Sequence, residues 1–262
     1  MRFSFNKYLD EVRSQGRFSI TLSELQNHTG LSYKAIQQTL FRAKKRGKIA
    51  QIRQGFYVIL PPEYSKPGIL PVYLYIDDLM RFLNRNYYVG LFSAAALHGA
   101  AHQQIMNAQI IIEKPALRRI KNEKMEIDFF VKNKWNDQNV ILKKSDAGYF
   151  KVASPELTVF DLIYYNKRIG GINRILPILE ELSEAIDVNN LITIIKNCKN
   201  NFVLQRLGYI YDHILKEDNL ADTIYAAIKD AKTNSVPLSV LNSPIGNLDN
   251  KWNIIENIKP DF

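Results

Sequence analysis

The hydrophobic positions of the first sixty residues fall into short amphipathic blocks separated by turn signals. Over residues 3–14, Phe5, Tyr8, Leu9 and Val12 recur at helical spacing. Gln15-Gly16 ends that block, and Phe18-Ser19-Ile20 reads as a short strand. Thr21, with Glu24 three residues later, is a capping-box pattern that opens a second helix through Leu22, Leu25 and Gln26. The stop comes at Thr29-Gly30, where glycine takes a left-handed turn without a Cβ clash. Leu31 is expected to turn back toward the core. Ser32 caps a third helix that runs to Arg46, with Gly47 as its stop. Two β-rich runs follow, Lys48 to Arg53 and Phe56 to Leu60, joined by the hairpin signal Gln54-Gly55. Helix, glycine turn, helix and hairpin together form the layout of a winged helix-turn-helix.

Beyond it, residues 61–75 hold Pro61, Pro62, Pro67, Gly68 and Pro71, which read as a connection. Helices are expected over 78–84 and 91–98. Strands are expected over 109–113 and 126–131, with weaker ones at 140–142 and 149–152. After Ser154 the periodicity is helical, over 155–166, 172–186, 188–196, 202–215 and 220–232, before an irregular tail with a strand near Trp252–Ile255. Ser154-Pro155 is read as N-cap and first helical position, with Glu156 favourable beside the helix dipole. The pattern predicts an α/β (α+β) chain in two domains: a winged helix-turn-helix over residues 1–66, and a larger α/β domain over 67–262 with a mostly helical C-terminal half.

On the third helix, 100° per residue puts Ile36, Thr39, Leu40 and Ala43 on the inward stripe. Lys34, Gln37, Gln38, Phe41, Arg42 and Lys45 lie opposite, with Tyr33 at the first turn. Glutamine makes bidentate bonds to adenine, and lysine or arginine reaches guanine edges or phosphates. The first half of a recognition helix usually faces the bases. Tyr33, Lys34, Gln37 and Gln38 are therefore candidates for base reading, with Ser32 at a phosphate. Arg42, Lys44, Lys45, Arg46 and Lys48 are candidates for backbone contacts, and Arg53 and Gln54 at the hairpin tip for the minor groove or flanking phosphates. Taken alone, this helix is equally an amphipathic helix with a solvated basic face. The hairpin that follows it favours the DNA reading.

Charge sharpens that choice. Residues 1–66 hold twelve Lys and Arg against four acids, a net of +8, while the other 196 residues net only +1. Charge kept merely for solubility would spread evenly, so the split points to a polyanion-binding module. A second basic stretch, Lys114 to Lys144, has nine Lys and Arg against four acids and includes Arg118, Arg119, Lys121 and Lys124. It either extends a DNA footprint, meets an acidic partner, or is a solvated loop. The chain has 46% hydrophobic and 23% charged residues, a globular balance. It has no membrane-length apolar run, no secretory pattern over Met1–Lys7, and a single cysteine, Cys198, which excludes an internal disulfide. A cytoplasmic protein with no membrane partner is expected.

Catalytic motifs are sparse. His98 and His102 have the spacing of two metal ligands on a helix, but Gly99 breaks the helix that would align them. Glu126 and Asp128 share a strand face. Such pairs bind magnesium in nucleases, and an edge strand facing solvent explains them equally well. No phosphate loop, nucleophile elbow or Cys-His pair is present. No catalytic residue, metal or cofactor is therefore expected, and a DNA-acting enzyme is the alternative.

The run Gly55-Phe56-Tyr57-Val58-Ile59 followed by Pro62-Glu63-Tyr64, then Tyr87-Tyr88-Val89-Gly90-Leu91 and Ser93 through Gln103, resembles the AbiEi antitoxins. Ser154-Pro155-Glu156-Leu157-Thr158, Asp161-Leu162, Gly170-Gly171 and Lys251-Trp252 are also similar to that family. The resemblance implies an antitoxin of a type IV toxin–antitoxin system that acts in abortive infection. Its partners would be double-stranded DNA, as inverted repeats in its own promoter, and a nucleotidyltransferase toxin countered without a stable complex. The family supplies no catalytic residues to carry over.

Overall fold

The computed structural model describes residues 3–65, 70–100, 107–121 and 125–260. Pro67 and Gly68 of the expected connection, His102, Gln103 and Lys124 lie outside the described residues. Two compact units divide the chain. One comprises Met1–Tyr88, Met106–Lys134 and Leu142–Val152; the other comprises Val89–Ile105, Trp135–Ile141 and Ala153–Phe262.

The first unit opens with α1 (Phe5–Ser14), β1 (Ser19–Thr21), α2 (Leu22–Thr29), α3 (Tyr33–Lys45), β2 (Ile49–Arg53) and β3 (Phe56–Ile59). The strands form an antiparallel sheet of order β1-β3-β2. The local signals act as their chemistry requires. The Thr21 hydroxyl accepts the Glu24 N–H while the Glu24 carboxylate accepts the Thr21 N–H, closing the capping box. Gly30 closes α2 in the left-handed region at φ 61°. Tyr8, Leu9, Val12, Ile20, Leu25, Ile36, Leu40, Ala43, Ile49, Tyr57 and Ile59 close into one apolar cluster. Leu31 departs from expectation: it is 37% exposed, at the rim of a small crevice beside Phe3, Phe5 and Ile36. The strand after α1 also starts one residue later than expected, so Phe18 precedes it.

The expected connection contains a single helical turn, α4 (Pro62–Ser65), and a 3-10 turn at Val72–Leu74, leading to α5 (Ile76–Phe82). A six-stranded sheet follows, carried almost wholly by this unit: β4 (Tyr87–Val89), β5 (Asn107–Ile112), β6 (Ile120–Lys121), β7 (Glu126–Val131), β8 (Val140–Ser145) and β9 (Gly148–Ala153), in the order β6-β7-β5-β4-β9-β8. β5 and β7 run parallel, pairing Asn107 with Glu126 through Ile112 with Val131. β4 and β6 have three and two residues and carry no alternation long enough to read. β7 is not an edge strand: β6 and β5 flank it, so of the two explanations weighed for Glu126 and Asp128 the edge strand is corrected.

The second unit is mainly helical: α6 (Leu91–Leu97), α7 (Pro155–Tyr164), α8 (Asn166–Ile169), α9 (Ile172–Ser183), α10 (Val188–Asn197), α11 (Asn201–Tyr209) and α12 (Asp218–Ile228). Ser154 caps α7 by accepting the Leu157 N–H at 3.2 Å, with Pro155 at the first helical position. Glu156 does more than sit near a dipole. It is almost fully buried, and its Oε1 accepts the Asp187 N–H at the start of α10 at 2.8 Å. The helix expected over 202–215 changes to π geometry at Ile210–Leu215 and ends at Lys216, which has φ 60°. Three short strands, β10 (Val236–Pro237), β11 (Asn247–Asp249) and β12 (Ile254–Glu256), close the chain in the order β10-β12-β11. Trp252 precedes β12, and its ring is 1% exposed. The α/β class expected from the sequence is observed. Among the described residues no helix is long and apolar enough to cross a membrane.

Candidate nucleic-acid interface

α3 is anchored by Ile36, Leu40 and Ala43, all buried. That anchoring turns the other side of the helix outward. Ser32, Lys34, Gln38, Arg42, Lys44, Lys45 and Arg46 are exposed, Tyr33 is 56% exposed, and Gln37 is half-buried. Ser32 also works as the N-cap, its Oγ accepting the Ala35 N–H at 3.4 Å. Arg42, Lys44 and Lys45 occupy the last turn, where positive charge favours the C-terminal end of the helix dipole. Two lysines are oriented by neutral acceptors that leave their charge uncancelled. Lys44 Nζ donates to Gln51 Oε1 at 3.0 Å, and Lys48 Nζ to Asn6 Oδ1 at 2.8 Å. The face thus offers amides and an aromatic ring in its first half and cations in its second.

The hairpin tip is fastened within its own unit. Gly55 turns the chain at φ 81°, and the Phe56 ring lies 5.4 Å from that of Phe82 on α5. Arg53 Nη2 donates to the Arg118 carbonyl at 2.8 Å, so Gln54 is the more exposed of the two tip residues. Ile52, Arg53, Gln54, Phe82, Arg118 and Lys121 line an open groove of about 450 Å³. The two basic stretches of the sequence meet here. No local signal reports this, because Arg53 and Arg118 are 65 residues apart.

The paired acids of β7 are engaged by cations. Arg119 Nη1 lies 2.5 Å from Glu126 Oε1, Arg119 Nε 2.5 Å from Asp128 Oδ1, and Lys121 Nζ 3.3 Å from Glu126 Oε2. His98 ends α6, with Nε2 2.8 Å from the Ala153 carbonyl, and Gly99 at φ 86° interrupts the helix as expected. Among the described residues no three His, Cys, Asp or Glu side chains gather as a metal site.

A polar node closes the second unit. Asp212 accepts the Trp252 indole N–H at 2.7 Å and Lys251 Nζ at 2.8 Å. Burial opposes ionisation of Asp212, but Lys251 and Trp252 outweigh it and hold its carboxyl below the usual range. His213 Nε2 lies 3.3 Å from Asp249 Oδ2. Sequence reasoning missed this node, because its members come from separate segments.

No curated protein matches the chain by sequence. Among solved structures, the RV2827C protein from Mycobacterium tuberculosis has the same fold, with a TM-score of 0.66 at 14% identity over 95% of this chain and 90% of that one. An antigenic nucleotidyltransferase-like protein from Paracoccidioides brasiliensis gives a TM-score of only 0.34 at 10% identity, over 58% of this chain and 89% of that one. Residues 88–213 match the family model described as the AbiEi antitoxin C-terminal domain.

Proposed function

We propose that this chain is a DNA-binding antitoxin of a type IV toxin–antitoxin system, non-enzymatic and cytoplasmic. In this reading residues 1–66 are a winged helix-turn-helix that binds inverted repeats upstream of its own gene and represses the operon. Residues 67–262 counter a nucleotidyltransferase toxin without a stable complex.

The observation that carries the antitoxin reading is the family match over residues 88–213. The DNA reading is supported by α3, whose buried stripe leaves an outward face of amides and cations, in the quarter of the chain that holds nearly all its excess charge. Tyr33, Lys34, Gln37 and Gln38 would read bases. Ser32, Arg42, Lys44, Lys45, Arg46 and Lys48 would hold phosphates. Arg53 and Gln54 would meet the minor groove or the flanking phosphates, and Arg118, across the groove from them, would add a phosphate contact.

Gel-shift titration of the full chain on DNA upstream of its gene tests the repressor. Binding should exceed that to random duplex of equal length and fall steeply with salt; equal binding to both would refute specific repression. Co-expression with the nucleotidyltransferase of the same operon tests the antitoxin. Growth should be rescued, and failure of rescue by folded protein would refute the antitoxin role.

A further inference from the structure

We infer that α3 reads A·T base pairs, and that Phe41 is a specificity-determining residue whose phenyl ring meets a thymine 5-methyl group in the major groove. This rests on the DNA-binding reading and adds to it the class of base pair recognised.

Phe41 is 65% exposed, more than any other aromatic side chain among the described residues. It is not overflow from the core. The inward stripe of α3 is already filled by Ile36, Leu40 and Ala43, each buried, and Phe41 belongs to the opposite side. Its neighbours on that side are polar: Gln37 and Gln38 one turn before it, Lys44 and Lys45 one turn after. A bare phenyl ring in that setting costs solvation with no packing return inside the molecule.

Its neighbours define what would cover it. Gln37 lies one turn before Phe41 and about 40° around the helix, so both side chains address one region of a groove. A glutamine amide pairs in bidentate fashion with N6 and N7 of adenine, and an aromatic ring packs on the thymine methyl. Those are the two edges that a single A·T pair, or adjacent A·T pairs, present in the major groove. Guanine would instead call for bidentate cations, and the cations of α3 cluster in its last turn, with Lys34 alone in the first half.

The test uses the full chain and the duplex upstream of its gene, with the thymines of its footprint replaced by deoxyuridine, which removes only the 5-methyl groups. Wild type should lose about fourfold in affinity for each contacted methyl removed. Phe41→Ala should lose a similar factor on the thymine duplex and bind the thymine and uracil duplexes equally. Phe41→Leu should recover part of the discrimination. Phe41 is exposed, so all three proteins should melt alike. Equal binding of both duplexes by wild type overturns the inference, as does undiminished discrimination by Phe41→Ala. Either result leaves the DNA-binding reading standing. Binding of the upstream duplex no tighter than random DNA removes that reading, and this inference with it.

Discussion

Arg119 Nε lies 2.5 Å from Asp128 Oδ1, and the same guanidinium reaches Glu126. The two β7 acids that most resemble a metal pair in the sequence therefore already have cationic partners, which favours an ion-pair role over magnesium binding. Arg119 remains 56% exposed, so solvent screens the pair. Asp128→Asn should cost no more than about 1 kcal/mol in chemical denaturation. Adding magnesium should leave the melting temperature of both proteins unchanged. A magnesium-dependent rise in wild type, absent from Asp128→Asn, would restore the metal reading.

The capping box at the start of α2 carries a pH signature. Burial opposes the charge on Glu24, but hydrogen bonds from Thr21 and Arg17 outweigh it and hold the carboxyl below its ordinary value of 4.5. A group depressed on folding stabilises the folded state above its unfolded value and loses that contribution as pH falls through the folded one. Glu24→Gln keeps the geometry without the titration. Wild type should therefore exceed Glu24→Gln in urea midpoint at neutral pH, and the gap should close well below pH 4.5. Thr21→Ala should cost about 1 kcal/mol at neutral pH.

Trp252 connects the tail to the helices of the second unit. Its indole N–H is given to Asp212, and its ring covers Gly208 of α11 so closely that a Cβ there would run into it. Gly208→Ala should destabilise by about 1–3 kcal/mol through overpacking. Asp212→Ala should cost about 1–3 kcal/mol by leaving the buried N–H without an acceptor, and Asp212→Asn less, because its amide oxygen still accepts. Tryptophan fluorescence during denaturation reads all three. Stability equal to wild type in Asp212→Ala would show that the node is not structural.

What was legible in the sequence was what chemistry encodes within a few residues. Thr21 and Glu24, Ser32, Gly30 and Ser154-Pro155 each act within one helical turn, and each is found in its expected role. Leu31 failed because apolarity states a preference and not a place; α2 and α3 are already seated through Leu25, Ile36 and Leu40. β4 and β6 escaped notice because two or three residues hold no period. Contacts between segments distant in sequence were invisible. Neither Arg53 on the Arg118 carbonyl nor Asp212 under Trp252 leaves a local pattern. The pairing of Glu126 and Asp128 with Arg119 and Lys121 was missed for another reason: it depends on the two-residue strand β6 and the residue before it folding back on β7.

The division of labour proposed for α3 predicts two separable losses. Cations on phosphates release counterions, so each one removed should lower the slope of log affinity against log salt by about 0.9. Lys44→Ala and Lys45→Ala should each show that loss, equally on the upstream duplex and on random duplex, since a phosphate carries no sequence. Arg118→Ala should do the same, because the groove sets Arg118 beside the hairpin tip. Gln37→Ala and Gln38→Ala should behave in the opposite way. Their side chains are uncharged, so the salt slope should hold, while preference for the upstream duplex should fall by about 1–3 kcal/mol per lost bidentate contact. Fluorescence anisotropy over a range of salt concentrations, with both duplexes, separates the two classes. Lysine variants that lost preference without a change of slope would reverse the assignment, making Lys44 and Lys45 base readers and not phosphate contacts.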